Sequence, residues 1–210
     1  MIKTIGASNH TDEDRELNDY YATNPFDLCV FLDQLDRDGI KLNNRIWESA
    51  CGEGHISQAM IDRGHDVLST DVIDRGFDGF QRYDFISELF KHTLSGALDS
   101  HSKFDGDIVT NPPFKFASEF IKTGLDRLES GALMCYLLPL RYLETKERYY
   151  LFKAHPPKYV YTYSYRINIG KKGIFDGGNA MAYCWIVWEK DSNTEPIIRL
   201  IPHPSWSDRE

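Results

Sequence analysis

Between residues 45 and 140 the chain alternates strand-like and helix-like stretches, and this alternation restricts the fold more than any other feature. Arg45–Ala50 reads as a strand, Ile56–Arg63 as a helix stopped by Gly64, and Asp66–Val72 as a second strand. A weaker strand precedes Asp84-Phe85, a helix-like stretch covers Ser87–Leu98, and Asp107–Thr110 is again strand-like. A helix over Phe116–Leu128 and the apolar run Ala132–Leu140 complete the series. Strand and helix taking turns predicts an α/β fold, a Rossmann-like, mostly parallel sheet with helices on both faces.

The rhythm changes on either side. Asn24-Pro25 opens a helix ending near Gly39, since Asn caps free backbone N–H groups and Pro fits the first helical position. Beyond a helix near Thr145–Ala154, Tyr159–Ile167 and Met181–Trp188 are β-branched and aromatic, and the Gly-rich link between them predicts a hairpin. At 210 residues one core is expected. The division is a polar arm over 1–19, a single domain over 20–190 and a surface tail over 191–210.

Composition excludes several classes. No apolar run approaches the roughly 20 residues a membrane helix needs, and the opening MIKTIGASNH lacks a signal-peptide core, so a cytoplasmic protein is expected. Cys29, Cys51, Cys135 and Cys184 form no CxxC pair and share no ligand spacing with histidines, so neither structural metal nor a disulfide framework is expected. The net charge of -8 opposes a nucleic-acid partner, but it is unevenly spread. Residues 1–106 hold 10 Lys and Arg against 20 Asp and Glu, whereas 141–172 hold 8 against 2, interleaved with seven tyrosines. That mixture suits phosphates and unstacked bases; the plainer alternative is that the tyrosines fill the core.

Two segments carry chemistry. In IWESACGEGHIS at 46–57 an apolar strand meets a Gly-rich turn at a helix N-terminus, where Gly52 and Gly54 let a ligand approach the backbone. Taken by itself, that segment is more readily explained as a ligand-free tight turn. Glu48 before the turn, Asp71 at the end of the second strand, and Asp84 ending the next add carboxylates placed for a ribose diol and an adenine amino group, with Phe85 packing on the ring. Ser57 stands where a dinucleotide fingerprint needs its third glycine, and Glu48 and Glu53 oppose a pyrophosphate. S-adenosylmethionine, which has a positive sulfonium and no phosphate, fits better.

The second segment is the strand DIVT running into Asn111-Pro112-Pro113-Phe114. Consecutive prolines stiffen the backbone just past the strand's carboxyl end, where ligands sit in open α/β sheets. An exocyclic amino group on a base is a poor nucleophile because its lone pair spreads into the ring. The Asn111 side-chain oxygen and the Pro112 carbonyl, aimed at its hydrogens, favour the pyramidal nitrogen that attacks a methyl group in line. Phe114 offers a face for a flipped base.

The chain resembles the phage-type DNA N6-adenine methyltransferases of the class I S-adenosylmethionine-dependent fold. The resemblance rests on NDYYATNPF at 18–26, WESACGEG at 47–54, STDVIDRG at 69–76, YDF at 83–85, NPPF at 111–114 and GGNAMAYCWIVWEK at 177–190. It implies a seven-stranded sheet with one antiparallel strand and S-adenosylmethionine as cofactor. It further implies cofactor contacts from Tyr21, Ala22, Thr23, Glu48, Cys51, Gly52, Gly54, His55, Asp71, Val72, Asp84, Phe85 and Asn111. Asn111, Pro112, Pro113 and Phe114 become the catalytic tetrad. Substrate contacts are expected from Phe114, Lys115, Arg141, Arg166, Lys171 and Lys172, with nucleic acid as partner, DNA favoured over RNA, and no membrane. RNA adenine, a glutamine side-chain amide and a non-catalytic cofactor-binding subunit are the alternatives.

Overall fold

The computed structural model describes residues 21–87, 103–170, 175 and 181–206. The expected arm, most of the helix-like stretch 87–98, and Lys171 and Lys172 lie outside the described residues.

Eight strands form one sheet in the order β10-β7-β9-β6-β5-β2-β3-β4. The strands are β2 (Arg45–Glu48), β3 (Asp66–Asp71), β4 (Gln81–Arg82), β5 (Asp107–Thr110), β6 (Leu133–Pro139), β7 (Tyr159–Tyr163), β9 (Tyr183–Glu189) and β10 (Ile197–Ile201). All neighbours are parallel except β9, which runs antiparallel to both β6 and β7. The expected β7/β9 antiparallel pair is therefore present. A separate ribbon pairs β1 (Ala22–Thr23) with β8 (Ile169–Gly170), antiparallel.

Strand alternation sends successive side chains to opposite faces, and β6 shows both being covered. Leu133, Cys135 and Leu137 join a cluster with Leu28, Phe31, Leu32 and Leu35 of α1 (Pro25–Arg37) and Ile56 and Met60 of α2 (His55–Asp62). Met134, Tyr136 and Leu138 join Phe120, Ile121 and Leu125 of α3 (Ala117–Arg127) and Leu151 of α4 (Lys146–Ala154). Helix α1 starts as its sequence dictates: the Asn24 side chain accepts from Phe26 N at 2.9 Å, and Pro25 occupies the first turn.

Two expectations are corrected. The sheet has eight strands rather than seven, and the additional one comes from the segment read as a surface tail: Ile197–Ile201 pairs in parallel with Tyr159–Tyr163. Its Ile198 and Leu200 are exposed while Ile201 is buried, so the strand lies at an edge and is anchored from its far end. Among the described residues no helix is long and apolar enough to cross a membrane.

Candidate active site

The strand order reverses between β2 and β5. From β2 the chain proceeds to β3 and β4 on one side, then returns to β5 and β6 on the other. Such a reversal opens a crevice at the carboxyl ends of the strands. A cleft open to solvent sits there. It takes Glu48 at the end of β2 and Cys51 beyond it, Asp71 at the end of β3 and Val72 beyond it, Asn111 and Pro113 after β5, His55 from the start of α2, and Tyr21, Ala22 and Thr23 from the β1 strap.

The Gly-rich turn is built as its composition suggests. Gly52 and Gly54 both have positive φ, 55° and 79°, and a Cβ on Gly54 would fall 2.0 Å from the Phe77 ring. Asp71 holds this turn from the neighbouring strand: its Oδ2 accepts from Gly52 N at 2.9 Å and its Oδ1 from Ile73 N at 3.0 Å. Arg75, which the sequence reading did not single out, also lines the cleft and sets its guanidinium 3.5 Å from Asp71. The signal was its position four residues after Asp71.

Glu48 is 2% exposed, and its Oε2 accepts from Ser57 N at 2.7 Å and from the Ser57 hydroxyl. The serine in the third-glycine position thus ties β2 to the N-terminal turn of α2, and its hydroxyl lies 2.6 Å from that of Ser69. Burial, with Asp71 nearby, pushes the Glu48 carboxyl well above the usual carboxylate range against the opposing pull of the Ser57 bonds. Burial together with Glu48 and Asp71 likewise pushes the Cys51 thiol up, which keeps it neutral.

Asn111 is the junction of the site. Its Nδ2 donates to Tyr21 O at 2.8 Å and to Thr23 Oγ1 at 3.1 Å. A carbonyl only accepts, so the –NH2 end must face Tyr21. Oδ1 is then the end left to accept from a ligand. The Pro113 carbonyl accepts from Phe116 N at 2.9 Å, closing a short 3-10 turn over Phe114–Phe116. Phe114 stacks on Tyr21, with centroids 5.6 Å apart and planes 11° from parallel, and tilts against Tyr183 at 6.0 Å.

Other expected residues stand elsewhere. Phe85 is 1% exposed, edge-on to Trp47 and stacked on Phe120, each at 5.0 Å; it is a core ring, because Trp47 on β2 and Phe120 on α3 enclose it. Asp84 Oδ1 accepts from Ile86 N and Ser87 N, capping its own turn, and neither Asp84 nor Phe85 lines the cleft. Lys115 follows β5, Arg141 follows β6 and Arg166 follows β7, so all three lie at the same edge of the sheet as the cleft but outside its lining.

The tyrosines of 141–172 divide. Tyr142, Tyr161 and Tyr163 are buried, with the Tyr161 and Tyr163 hydroxyls bonded to Asp38 Oδ2 and Asp27 O. Tyr149 and Tyr150 are 60% and 56% exposed on α4, beside exposed Lys146 and Lys153. The residue before this helix, Thr145, has φ 85°, an uncommon conformation for a side chain branched at Cβ.

A doubly wound sheet with one antiparallel strand inserted between β6 and β7, and a Gly-turn cleft at its switch point, defines the Rossmann-like methyltransferase fold. No family model and no curated protein sequence matches the chain. Among solved structures it is similar to a protein from Listeria monocytogenes assigned as a class I S-adenosylmethionine-dependent methyltransferase, with TM-score 0.57 and 14% identity over 90% of this chain and 67% of that one. It is similar to a modification subunit assigned to a type I restriction enzyme of Vibrio vulnificus, with TM-score 0.57 and 11% identity over 89% of this chain, which spans 48% of the subunit. A third similar structure, from Agrobacterium tumefaciens and assigned as an O-methyltransferase, has TM-score 0.52 and 14% identity over 77% of this chain and 82% of that one.

Proposed function

We propose that the chain is an S-adenosylmethionine-dependent methyltransferase acting on the exocyclic amino group of adenine in DNA, at N6. The observation that carries this reading is the orientation of Asn111. Both amide hydrogens are engaged by the Tyr21–Thr23 strap, so the group contributes an oxygen acceptor at the lip of the cleft. A binding module has no use for an acceptor fixed in that sense.

The residues of the cleft fit the cofactor. Of the two carboxyl side chains that line it, Asp71 is placed for a ribose diol, and Glu48, buried and tied to Ser57, shapes the turn beside it. Tyr21, Ala22, Thr23, Glu48, Cys51, His55, Asp71 and Val72 would hold it, with Gly52 and Gly54 shaping the turn beneath. Arg75 holds the Asp71 carboxylate against the turn. When bound, S-adenosylmethionine supplies an electrophilic methyl group.

The protein's own part is orientation and electrostatics. Asn111 Oδ1 and the Pro112 carbonyl accept the two amino hydrogens, drawing the nitrogen lone pair out of the ring. They then stabilise the positive charge that grows as the N–C bond forms, until the surplus proton passes to water. Phe114 offers a stacking surface to the extruded base, and Pro113 fixes its place. Lys115, Arg141 and Arg166, with Lys171 and Lys172, are assigned to the phosphates.

Incubating the protein with methyl-labelled S-adenosylmethionine and separate pools of duplex DNA, single-stranded DNA, RNA and protein tests the reading. Label is expected in DNA as N6-methyladenine. It should vanish in Asn111→Ala while cofactor affinity, measured by calorimetry, stays near wild type. Label in another pool, or full turnover by Asn111→Ala, overturns it.

A further inference from the structure

A carboxamide is nearly symmetric in shape, and turning it over exchanges an acceptor for two donors at almost the same positions. Flipped, Asn111 would aim N–H groups at a substrate –NH2, and the acceptor would be lost. Something must choose the orientation, and the two partners of Nδ2 both come from residues 21–23, about ninety positions upstream. One is a backbone carbonyl. The other is the Thr23 hydroxyl, 3% exposed and on strand β1. That strand is itself fixed, because Ala22 and Thr23 pair with Gly170 and Ile169 of β8.

We infer that Thr23 is a positioning residue: the Tyr21 carbonyl, which only accepts, sets which way the amide faces, and Thr23 Oγ1 receives the second Nδ2 hydrogen and holds the Asn111 carboxamide there, with Oδ1 toward the substrate. This rests on the reaction proposed above and deepens it. The same three residues line the cofactor cleft, so the strap that borders one reactant sets the group that receives the other. The lock is local: Thr23 Oγ1 lies 3.1 Å from Asn111 Nδ2 and acts through that amide.

Thr23→Val keeps the branched shape and removes the acceptor, whereas Thr23→Ser keeps the acceptor. Measured at saturating cofactor, since Thr23 also lines the cofactor cleft, the valine variant should lose roughly 3- to 10-fold in kcat, the worth of one hydrogen bond, with KM for nucleic acid within about twofold of wild type. The serine variant should recover most of the rate. A direct readout needs no turnover. In 15N-labelled protein the Asn111 side-chain amide pair, recognised by its absence from the Asn111→Ala spectrum, should exchange slowly with water in wild type and Thr23→Ser. In Thr23→Val it should shift and exchange faster. If the wild type methylates nothing, the proposed function falls while the amide pair still tests the lock. An unmoved pair in Thr23→Val, equal losses of rate in both variants, or a loss that follows cofactor affinity overturns the inference.

Discussion

Replacing Glu48 by Gln isolates a buried electrostatic conflict in the site. The carboxyl is 2% exposed, receives both the N–H and the hydroxyl of Ser57, and has Asp71 nearby. Its folded-state pKa is raised well above the ordinary Glu value of about 4.3. As pH rises past that ordinary value, the unfolded chain loses the proton while the folded one keeps it, so the folded state binds more protons and stability falls. The slope attributable to this one group is up to about 1.4 kcal/mol per pH unit, and it ends where Glu48 ionises in the folded protein. For a chain of this size that is roughly 3–6 °C of Tm per pH unit. Glutamine mimics the protonated carboxyl: its carbonyl oxygen can take the Ser57 bonds, and it does not titrate. Asp27 and Asp107, also raised by burial, contribute slopes of the same sign in both proteins, so the difference between the two curves reports Glu48. Thermal unfolding followed by circular dichroism from about pH 4 to about pH 8 should show curves that converge at the acid end and separate toward neutrality, the variant being the more stable. Parallel curves would refute the reasoning, because Glu48 would then ionise in the folded protein as freely as in the unfolded one.

Gly54→Ala should cost about 1–2 kcal/mol for its left-handed backbone, plus whatever moving the Phe77 ring requires. Gly39→Ala, with φ 75° and nothing within 4 Å, reports the backbone part alone, so equal urea midpoints for the two variants would remove the Phe77 contact from the account. Phe114→Ala should raise KM for nucleic acid roughly 5- to 150-fold, the usual worth of one stacked base, and leave cofactor binding near wild type. An unchanged KM removes Phe114 from the base site. Replacing Lys146 and Lys153 together by Ala should make the dependence of log Kd on log salt shallower by about 1.8, since each phosphate contact contributes about 0.9. An identical slope means that α4 does not face the backbone of the nucleic acid.

What was legible in the sequence depended on how local the cause was. Strand β5 stops at Thr110 because the prolines that follow cannot extend it, and α1 starts after Asn24 because cap and proline are adjacent in the chain. Both were readable to the residue. Strand β10 was not, because Ile197–Ile201 lies between Pro196 and Pro202 amid charged and polar residues, and its sheet neighbour among the described residues is nearly forty positions away. Phe85 looked like a cofactor contact because it follows a strand-end aspartate, yet its surroundings are set by Trp47 and Phe120, which no spacing rule connects. Glu48 and Asn111 were recognisable as cleft residues. Their bonds to Ser57, Tyr21 and Thr23 were not, since each requires two distant elements to be brought together. The tyrosines of 141–172 divided because one period serves strand β7, whose Tyr161 and Tyr163 share a face, while Tyr149 and Tyr150 sit on a helix that turns them outward.

The placement of β9 governs how this protein can assemble. Seven of its residues pair with β6 and four with β7, and it contributes Trp185, Ile186, Val187 and Trp188 to the two faces of the core. Strands β2, β3, β5 and β6 can add one beside another as the chain lengthens, but the outer edge of β6 stays unpaired until a segment some fifty residues later slides in against the grain. During that interval an apolar strand edge is exposed to any neighbour that can pair with it. Insertion of β9 is therefore the slow step to look for in refolding, and recovery should fall with rising chain concentration at that stage.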